Sequence, residues 1–113
     1  FERAGYDVTF HGPITFSQAV LGDDVEVPTV DGRIVQHIPE GTQSGTKFRL
    51  RGQGIQYLNG RGRGDQYVIV DVEIPKKVTR AQREALKAFE DSMKEDNYEK
   101  RKGFFKNLRD RFS

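Results

Sequence analysis

Apolar and polar residues alternate in several short stretches, which is the two-residue period of a strand with one buried face. Phe48 and Leu50, for example, alternate with basic residues that would face water. The pattern predicts five such strands, near residues 8–10, 25–30, 34–38, 47–51 and 67–74. We therefore expect a mainly β domain, a small β-sandwich.

Turn and cap residues lie between these strands. Asp31 and Gly32 separate two of them, and an Asp-Gly pair is a strong hairpin signal because both turn residues must then accept positive φ. Ser17 is expected to cap a short helix that Gly22 ends. The last strand, over residues 67–74, is expected to be the longest.

A helix is predicted after the last strand. Thr79 is followed three residues later by Gln82, which is the signature of a capping box. Apolar residues then recur at helical spacing, which predicts one amphipathic helix of about fourteen residues. These apolar residues are Ala81, Ala85, Leu86, Phe89 and Met93.

The C-terminal tail is charged at first and then carries large apolar residues on one helical face. These residues are Phe104, Phe105, Leu108 and Phe112. A short helix of this kind is not stable alone, so its apolar side chains need a surface. We favour a partner chain in a homodimer, where the stripe of Leu86, Phe89 and Met93 would receive the tail. Folding back on the same chain and binding at a membrane surface remain alternatives.

Composition limits the classes of function. The 113 residues suggest a β domain over residues 1–76 and a helix with a dimerisation tail over 77–113, and the first residue, Phe1, suggests a piece of a longer chain. The net charge of +2 does not indicate attraction to nucleic acid or membrane. The absence of cysteine excludes disulfides and cysteine zinc sites and fits a reducing, cytoplasmic compartment.

No catalytic or metal-binding constellation is expected. His11 and His37 have no second histidine at helical spacing, and no serine lies in a recognisable nucleophile motif. Asp71 and Glu73 are expected to form a solvated strand face beside cations. We therefore expect neither an enzyme nor a cofactor.

The stretch from Lys47 to Gly64 holds five basic residues, five glycines and no acid, a composition found in phosphate-contacting loops. A phosphate cradle needs a helix that leaves the loop, whereas here a strand leaves it. We expect the glycines to supply positive φ and close backbone approach, and Asp65 to lie near cations. We regard the adhesion tripeptide from Arg63 to Asp65 as a chance match.

Four landmarks follow one another in a fixed order. They are the Asp-Gly hairpin, the turn "PEGTQ", the run "FRLRGQG" and the run "GDQYV". In this order, over about residues 6–90, they resemble the second C-terminal domain of J-domain co-chaperones of the DnaJ type. The resemblance implies that the glycines belong to an inter-strand loop of that domain: Gly52, Gly54, Gly60, Gly62 and Gly64.

The resemblance also implies a function. A domain of this type helps to hold unfolded client polypeptides and joins two protomers through its C-terminal end. The family's J domain, its zinc module and the domain that contacts a DnaK-type chaperone have no counterpart in these residues, so zinc and DnaK contact are expected only there. The client-binding residues stay open, and a purely structural dimerisation module or a basic-loop nucleic-acid binder remain alternatives.

Overall fold

The structure, a computed structural model, describes residues 1–100 of the chain. Residues 1–74 form one compact unit, and the remaining described residues belong to a second. The first unit contains a four-stranded sheet in the order β1 (Glu2–Ala4), β2 (Asp7–Ile14), β6 (Gln66–Val72) and β5 (Thr46–Leu50). It also contains the helix α1 (Phe16–Leu21) and a two-stranded sheet of β3 (Asp23–Thr29) and β4 (Gly32–Ile38).

The core lies between the inner faces of the two sheets. Val68 and Val70 of β6 are 0% and 1% exposed, and Leu50 of β5 is also buried, whereas Lys47 and Arg49 are exposed. The buried cluster consists of Ile14, Ala19, Val27, Ile38, Leu50, Val68 and Val70. The predicted mainly β-sandwich with a following helix is therefore confirmed.

The last strand is shorter than predicted. It ends at Val72, and β2, with eight residues, is longer than its seven. Ile74, expected on the inner face, lies beyond the strand and is 72% exposed. The reason is that β6 loses its parallel partner where β2 ends at Ile14, whose carbonyl accepts a final hydrogen bond from the N–H of Glu73.

The first helix begins at a different residue from the one predicted. Thr15, not Ser17, is its N-cap, because Gln18 stands at the position that completes a capping box. The Thr15 hydroxyl accepts a hydrogen bond from the N–H of Gln18 at 3.1 Å, and the Gln18 amide oxygen accepts one from the N–H of Thr15 at 2.9 Å. Gly22 ends the helix as expected, with φ of +78°.

The Asp-Gly hairpin forms with a different turn. Thr29 pairs with Gly32, so the two loop residues are Val30 and Asp31, and Gly32 begins β4. Neither loop residue has a positive φ, and Gly32 does not either. The turn with two positive φ angles was therefore wrongly predicted, although the hairpin itself is confirmed.

The second described unit contains the helix α2 (Arg80–Ser92) and a single 3₁₀ turn over Glu95–Asn97. The capping box of Thr79 and Gln82 is confirmed: the N–H of Thr79 donates to the Gln82 amide oxygen at 2.8 Å. Within residues 1–100, no helix combines the length and the apolar character that crossing a bilayer requires.

Candidate functional site

The basic glycine loop between β5 and β6 is a folded hairpin closed by its own backbone. The N–H of Gly54 donates to the carbonyl of Gly64 at 2.9 Å, and the N–H of Gly64 donates to the carbonyl of Ile55 at 3.0 Å. Nearer the tip, the N–H of Tyr57 donates to the carbonyl of Gly62 at 3.0 Å. These bonds use backbone groups that a phosphate would need, which is consistent with a structural loop.

The loop glycines have the two properties that the sequence predicted. Gly60 and Gly62 have φ of +73° and +88°, a region that other residues rarely adopt. Gly54 and Gly64 lie against the backbone of Tyr6, and a Cβ atom added to Gly54 would lie 2.5 Å from the Tyr6 carbonyl oxygen. A Cβ on Gly64 would approach the same carbonyl still more closely.

Asp65 anchors the base of this loop. Its carboxylate accepts hydrogen bonds from the N–H of Gly52 at 2.9 Å and from Arg49 Nε at 2.7 Å. The Gly52 N–H, followed by the Arg49 guanidinium, lowers the pKa of the Asp65 carboxyl. Its contribution to stability is fully present above the pKa of an unfolded aspartate, about 3.9, and is lost as the pH falls from there through the lowered pKa.

Three of the five cations of this stretch are engaged within the fold. Arg49 pairs with Asp65, Lys47 Nζ lies 4.2 Å from the centre of the Tyr67 ring, and Arg63 forms an ion pair with Asp31. The interpretation of Arg63 as a residue that only solvates a turn was wrong, since the pair ties this loop to the β3–β4 turn. The adhesion-like tripeptide is built into the fold, with its glycine buried.

The two arginines at the tip can be distinguished by stability. Arg61→Gln is expected to change the free energy of unfolding by no more than about 0.5 kcal/mol, as at ordinary surface positions. Arg63→Gln should cost more, up to about 1 kcal/mol, because it breaks a partly shielded ion pair. Urea unfolding measures both values, and adding Asp31→Asn to Arg63→Gln should cost little more. Equal losses for the two arginines would contradict the pairing.

The open edge of β2 is a second candidate site. β1 pairs with only residues 7–9 of β2, so residues 10–14 have no strand beside them on that side among the described residues. The N–H of Val8 bonds to the carbonyl of Asp65, and Ile14 also bonds towards β6. Because backbone groups alternate along a strand, His11 and Pro13 direct theirs to the open side. His11 therefore offers an N–H and a carbonyl there, and Pro13 only a carbonyl.

A cleft of about 130 Å³ lies between this part of β2 and the strand β3 of the other sheet. It exists at Gly12, the inward position between Phe10 and Ile14, where no side chain fills the space. The cleft is lined by Phe10, Gly12, Pro13, Ile14, Val25, Glu26, Val27, Pro28, Val68 and Val70. An apolar cleft thus lies directly beside unpaired backbone groups, which is the arrangement that binds extended peptides.

The predicted dimerisation residues fall partly on α2. Leu86 and Phe89 lie three residues apart and hence on one face of the helix, where they are 60% and 38% exposed. Met93 is the C-cap, with extended backbone angles, and is half-buried. The other four, Phe104, Phe105, Leu108 and Phe112, lie outside the described residues. The assignment of all seven to a dimer interface stays a prediction.

Each histidine contacts one carboxylate. His11 Nδ1 lies 3.2 Å from Asp71 Oδ2, and His37 Nδ1 lies 2.7 Å from Asp24 Oδ1. No three histidine or acidic side chains within the described part of the chain come close enough together to hold a metal ion. These pairs are exposed contacts across neighbouring strands.

Sequence reasoning missed the open edge and its cleft. Two signals were present: Pro13 cannot donate a ladder hydrogen bond and so marks an edge, and Gly12 interrupts an inward series that is otherwise apolar. Neither signal identifies which strand lies opposite, so the cleft required the tertiary structure.

Comparisons with known proteins point to one family. The family model described as DnaJ C terminal domain matches residues 1–75, and the one described as Chaperone protein DnaJ C-terminal region matches residues 81–113. The protein named Chaperone protein DnaJ from Ruminiclostridium cellulolyticum is 51% identical over 112 residues, which cover 99% of this chain and 30% of that protein.

Two further proteins of the same name are similarly close. The one from Acetivibrio thermocellus is 50% identical over 110 residues, which cover 97% of this chain and 28% of the relative. The one from Clostridioides difficile is 50% identical over 112 residues, which cover 99% and 29%. The chain thus spans less than a third of the length of these curated relatives.

Proposed function

The chain belongs to the family of DnaJ C-terminal domains, and we propose that it is a non-enzymatic part of a co-chaperone that holds unfolded polypeptides and joins two protomers. The name shared by its relatives, Chaperone protein DnaJ, supports a chaperone function. We place that function in the cytoplasm, beside a DnaK-type chaperone that other parts of the longer protein would contact.

One observation supports the client contact: the unpaired edge of β2 and the apolar cleft over Gly12 lie side by side. An extended client segment can add to the edge through its backbone while one of its side chains enters the cleft. The backbone contact is independent of client sequence, and the apolar contact favours segments that a folded protein would bury. Together these contacts would select unfolded chains.

The site is expected to bind weakly. His11 is the only residue of the free stretch that offers both an N–H and a carbonyl, because Pro13 has no N–H and its neighbours bond towards β6. A short contact of this kind leaves little free energy after the peptide has been ordered. We expect a dissociation constant of roughly 10 μM or weaker for a single extended peptide.

The test of client contact is a proline substitution on the open edge. His11→Pro removes the outward N–H without removing a bond to β6, and Pro13 shows that this edge accepts proline. Binding of an extended peptide of alternating leucine and serine should weaken about fivefold or more, the effect of losing one hydrogen bond and gaining a clash. Amide chemical shifts of the labelled chain during titration measure the affinity and locate the contact.

The matched control is Lys47→Pro on β5, the strand at the other edge of the same sheet. By the same alternation, the N–H of Lys47 points away from β6, because Phe48 pairs inward with Val68. This variant should bind the peptide as the unchanged protein does. Peptide-induced shifts confined to the loops, or equal binding by His11→Pro, would instead support a structural module without client contact.

Dimerisation through α2 and the C-terminal tail forms the second half of the proposal. Its support is the exposed apolar pair of Leu86 and Phe89 on α2 together with the phenylalanine-rich tail sequence. Nucleic-acid binding by the basic loop has less support, because Arg49, Arg63 and Lys47 are already engaged with Asp65, Asp31 and Tyr67.

A further inference from the structure

We infer that the cleft over Gly12 accepts a single aliphatic side chain of the client, of the size of valine, isoleucine or leucine, and disfavours aromatic ones. This inference rests on the proposed client contact, and it adds the chemical class of the bound side chain and the residue that sets it. It follows from the size of the cleft, the chemistry of its walls and the missing side chain at position 12.

The size of the cleft sets an upper limit. Its volume of about 130 Å³ is smaller than the roughly 150 Å³ of an engineered protein cavity that holds benzene. Val68 and Val70 at its floor are 0% and 1% exposed, so the space between the sheets is already too narrow for water to reach them. Phe10 and Ile14 close the two ends along β2. A phenylalanine or tryptophan ring would have to push the sheets apart.

The walls select against charge. Among the lining residues that the structure describes, Glu26 alone is ionisable, and its carboxylate lies 3.5 Å from Arg33 Nη1 on the exposed side of the β3–β4 hairpin. A charged or strongly polar client side chain would therefore lose its water without gaining a partner inside the cleft. An aliphatic side chain gains contacts with Phe10, Val25 and Pro28 and loses nothing.

Gly12 determines how much room remains. A Cβ atom at position 12 would lie 3.4 Å from Phe10 Cε2 and 4.0 Å from Val68 Cγ1, which are ordinary van der Waals distances. The φ of Gly12 is not positive, so larger residues fit the backbone without strain. A methyl group at this position would narrow the cleft, and an isopropyl group would fill it.

The test is a series of peptides that share one extended polar sequence and differ at a single guest position: alanine, valine, leucine, phenylalanine or tryptophan. Binding to the labelled full chain is followed at the amides of β2 and β3. We expect leucine and valine to bind roughly tenfold more tightly than alanine, and leucine at least fivefold more tightly than phenylalanine or tryptophan. Gly12→Ala should shift the preference from leucine towards valine, and Gly12→Val should reduce every guest to the affinity of alanine.

The matched control for the substitutions is Gly32→Val. Gly32 also lacks a positive φ, and a Cβ there meets nothing within 4 Å, so this variant should keep the guest preference. If Gly12→Val fails to fold, the guest series and Gly12→Ala still decide the question. Affinity that rises steadily through phenylalanine and tryptophan would overturn the size limit while leaving client contact at β2 intact. Absence of binding by every guest would overturn both.

Discussion

Light scattering of the intact chain at tens of micromolar is expected to give about twice the 12.9 kDa of one chain, and removal of residues 103–113 should return the value to a single chain. Burial of Phe104, Phe105, Leu108 and Phe112 would contribute roughly 1.5–3 kcal/mol for each side chain. Ordering about ten tail residues costs roughly 1–2 kcal/mol for each residue. The two terms nearly cancel for one tail alone, so the tail depends on an apolar surface such as Leu86 and Phe89.

Two controls separate a dimer interface from general loss of structure. The truncated chain should keep the β-sheet circular dichroism of residues 1–74, which form a compact unit of their own. Leu86→Ser, which leaves the tail intact, should also weaken the dimer. Added salt should have little effect, because the centre of the contact would be apolar. An intact chain that runs as a monomer, or a truncated one that stays dimeric, would show that the tail does not make the interface.

Gly64→Ala is expected to destabilise the sandwich by at least about 3 kcal/mol, or to prevent its folding. A methyl group at Gly64 would collide with the backbone carbonyl of Tyr6 and lie 2.8 Å from Asp7 Oδ1. Neither the backbone nor the carboxylate can move away freely, because Ile55 bonds to the Tyr6 carbonyl at 2.8 Å and Asp65 to the Asp7 carboxylate at 2.7 Å. Thermal unfolding and urea unfolding measure the loss.

Gly54→Ala should behave in the same way, since its Cβ would meet the Tyr6 carbonyl from the other side of the loop. Gly32→Ala is the control, because Gly32 has open space around its Cα and no positive φ, and it should change the free energy of unfolding by less than about 0.5 kcal/mol. A Gly64→Ala protein as stable as the Gly32→Ala protein would contradict the close packing of the loop beneath β2.

The faces of the strands could be predicted from the sequence, because burial on one side imposes a period of two. The inward positions of Val68, Val70 and Leu50 follow from that period alone. The helix α2 could also be predicted, with its capping box at Thr79, because both box residues are local. Local chemistry likewise explains the loop glycines and the partner of Asp65.

Strand partners could not be predicted in the same way. The pairing of β2 with β6 joins distant segments in parallel, and periodicity shows which face of a strand is buried but not which strand lies beside it. The short β1 has no buried residue and hence no apolar pattern to reveal it. The open edge beside His11 is a consequence of where β1 stops, so the candidate client site was hidden for the same reason.

The smaller errors also have physical causes. Ser17 and Thr15 are both acceptable caps, and only the position of Gln18 decides between them. The Asp-Gly pair was assigned to the turn itself, whereas the register of the hairpin places the turn one residue earlier. Arg63 was taken as a solvated residue because Asp31 is distant in sequence and comes near only when the hairpin packs beside the loop.

The parallel pair of β2 and β6 has a consequence for synthesis of the chain. Val8 lies beside Gln66, so nearly the whole sandwich must be made before the central pair can form, and no short turn can bring the two strands together earlier. At typical rates of translation, β2 would wait roughly 3–12 s for β6 to follow it. During that time its apolar face has no core to cover it. A protein proposed to hold unfinished chains therefore begins as one, and its own nascent strand is a segment of the kind that its cleft would accept.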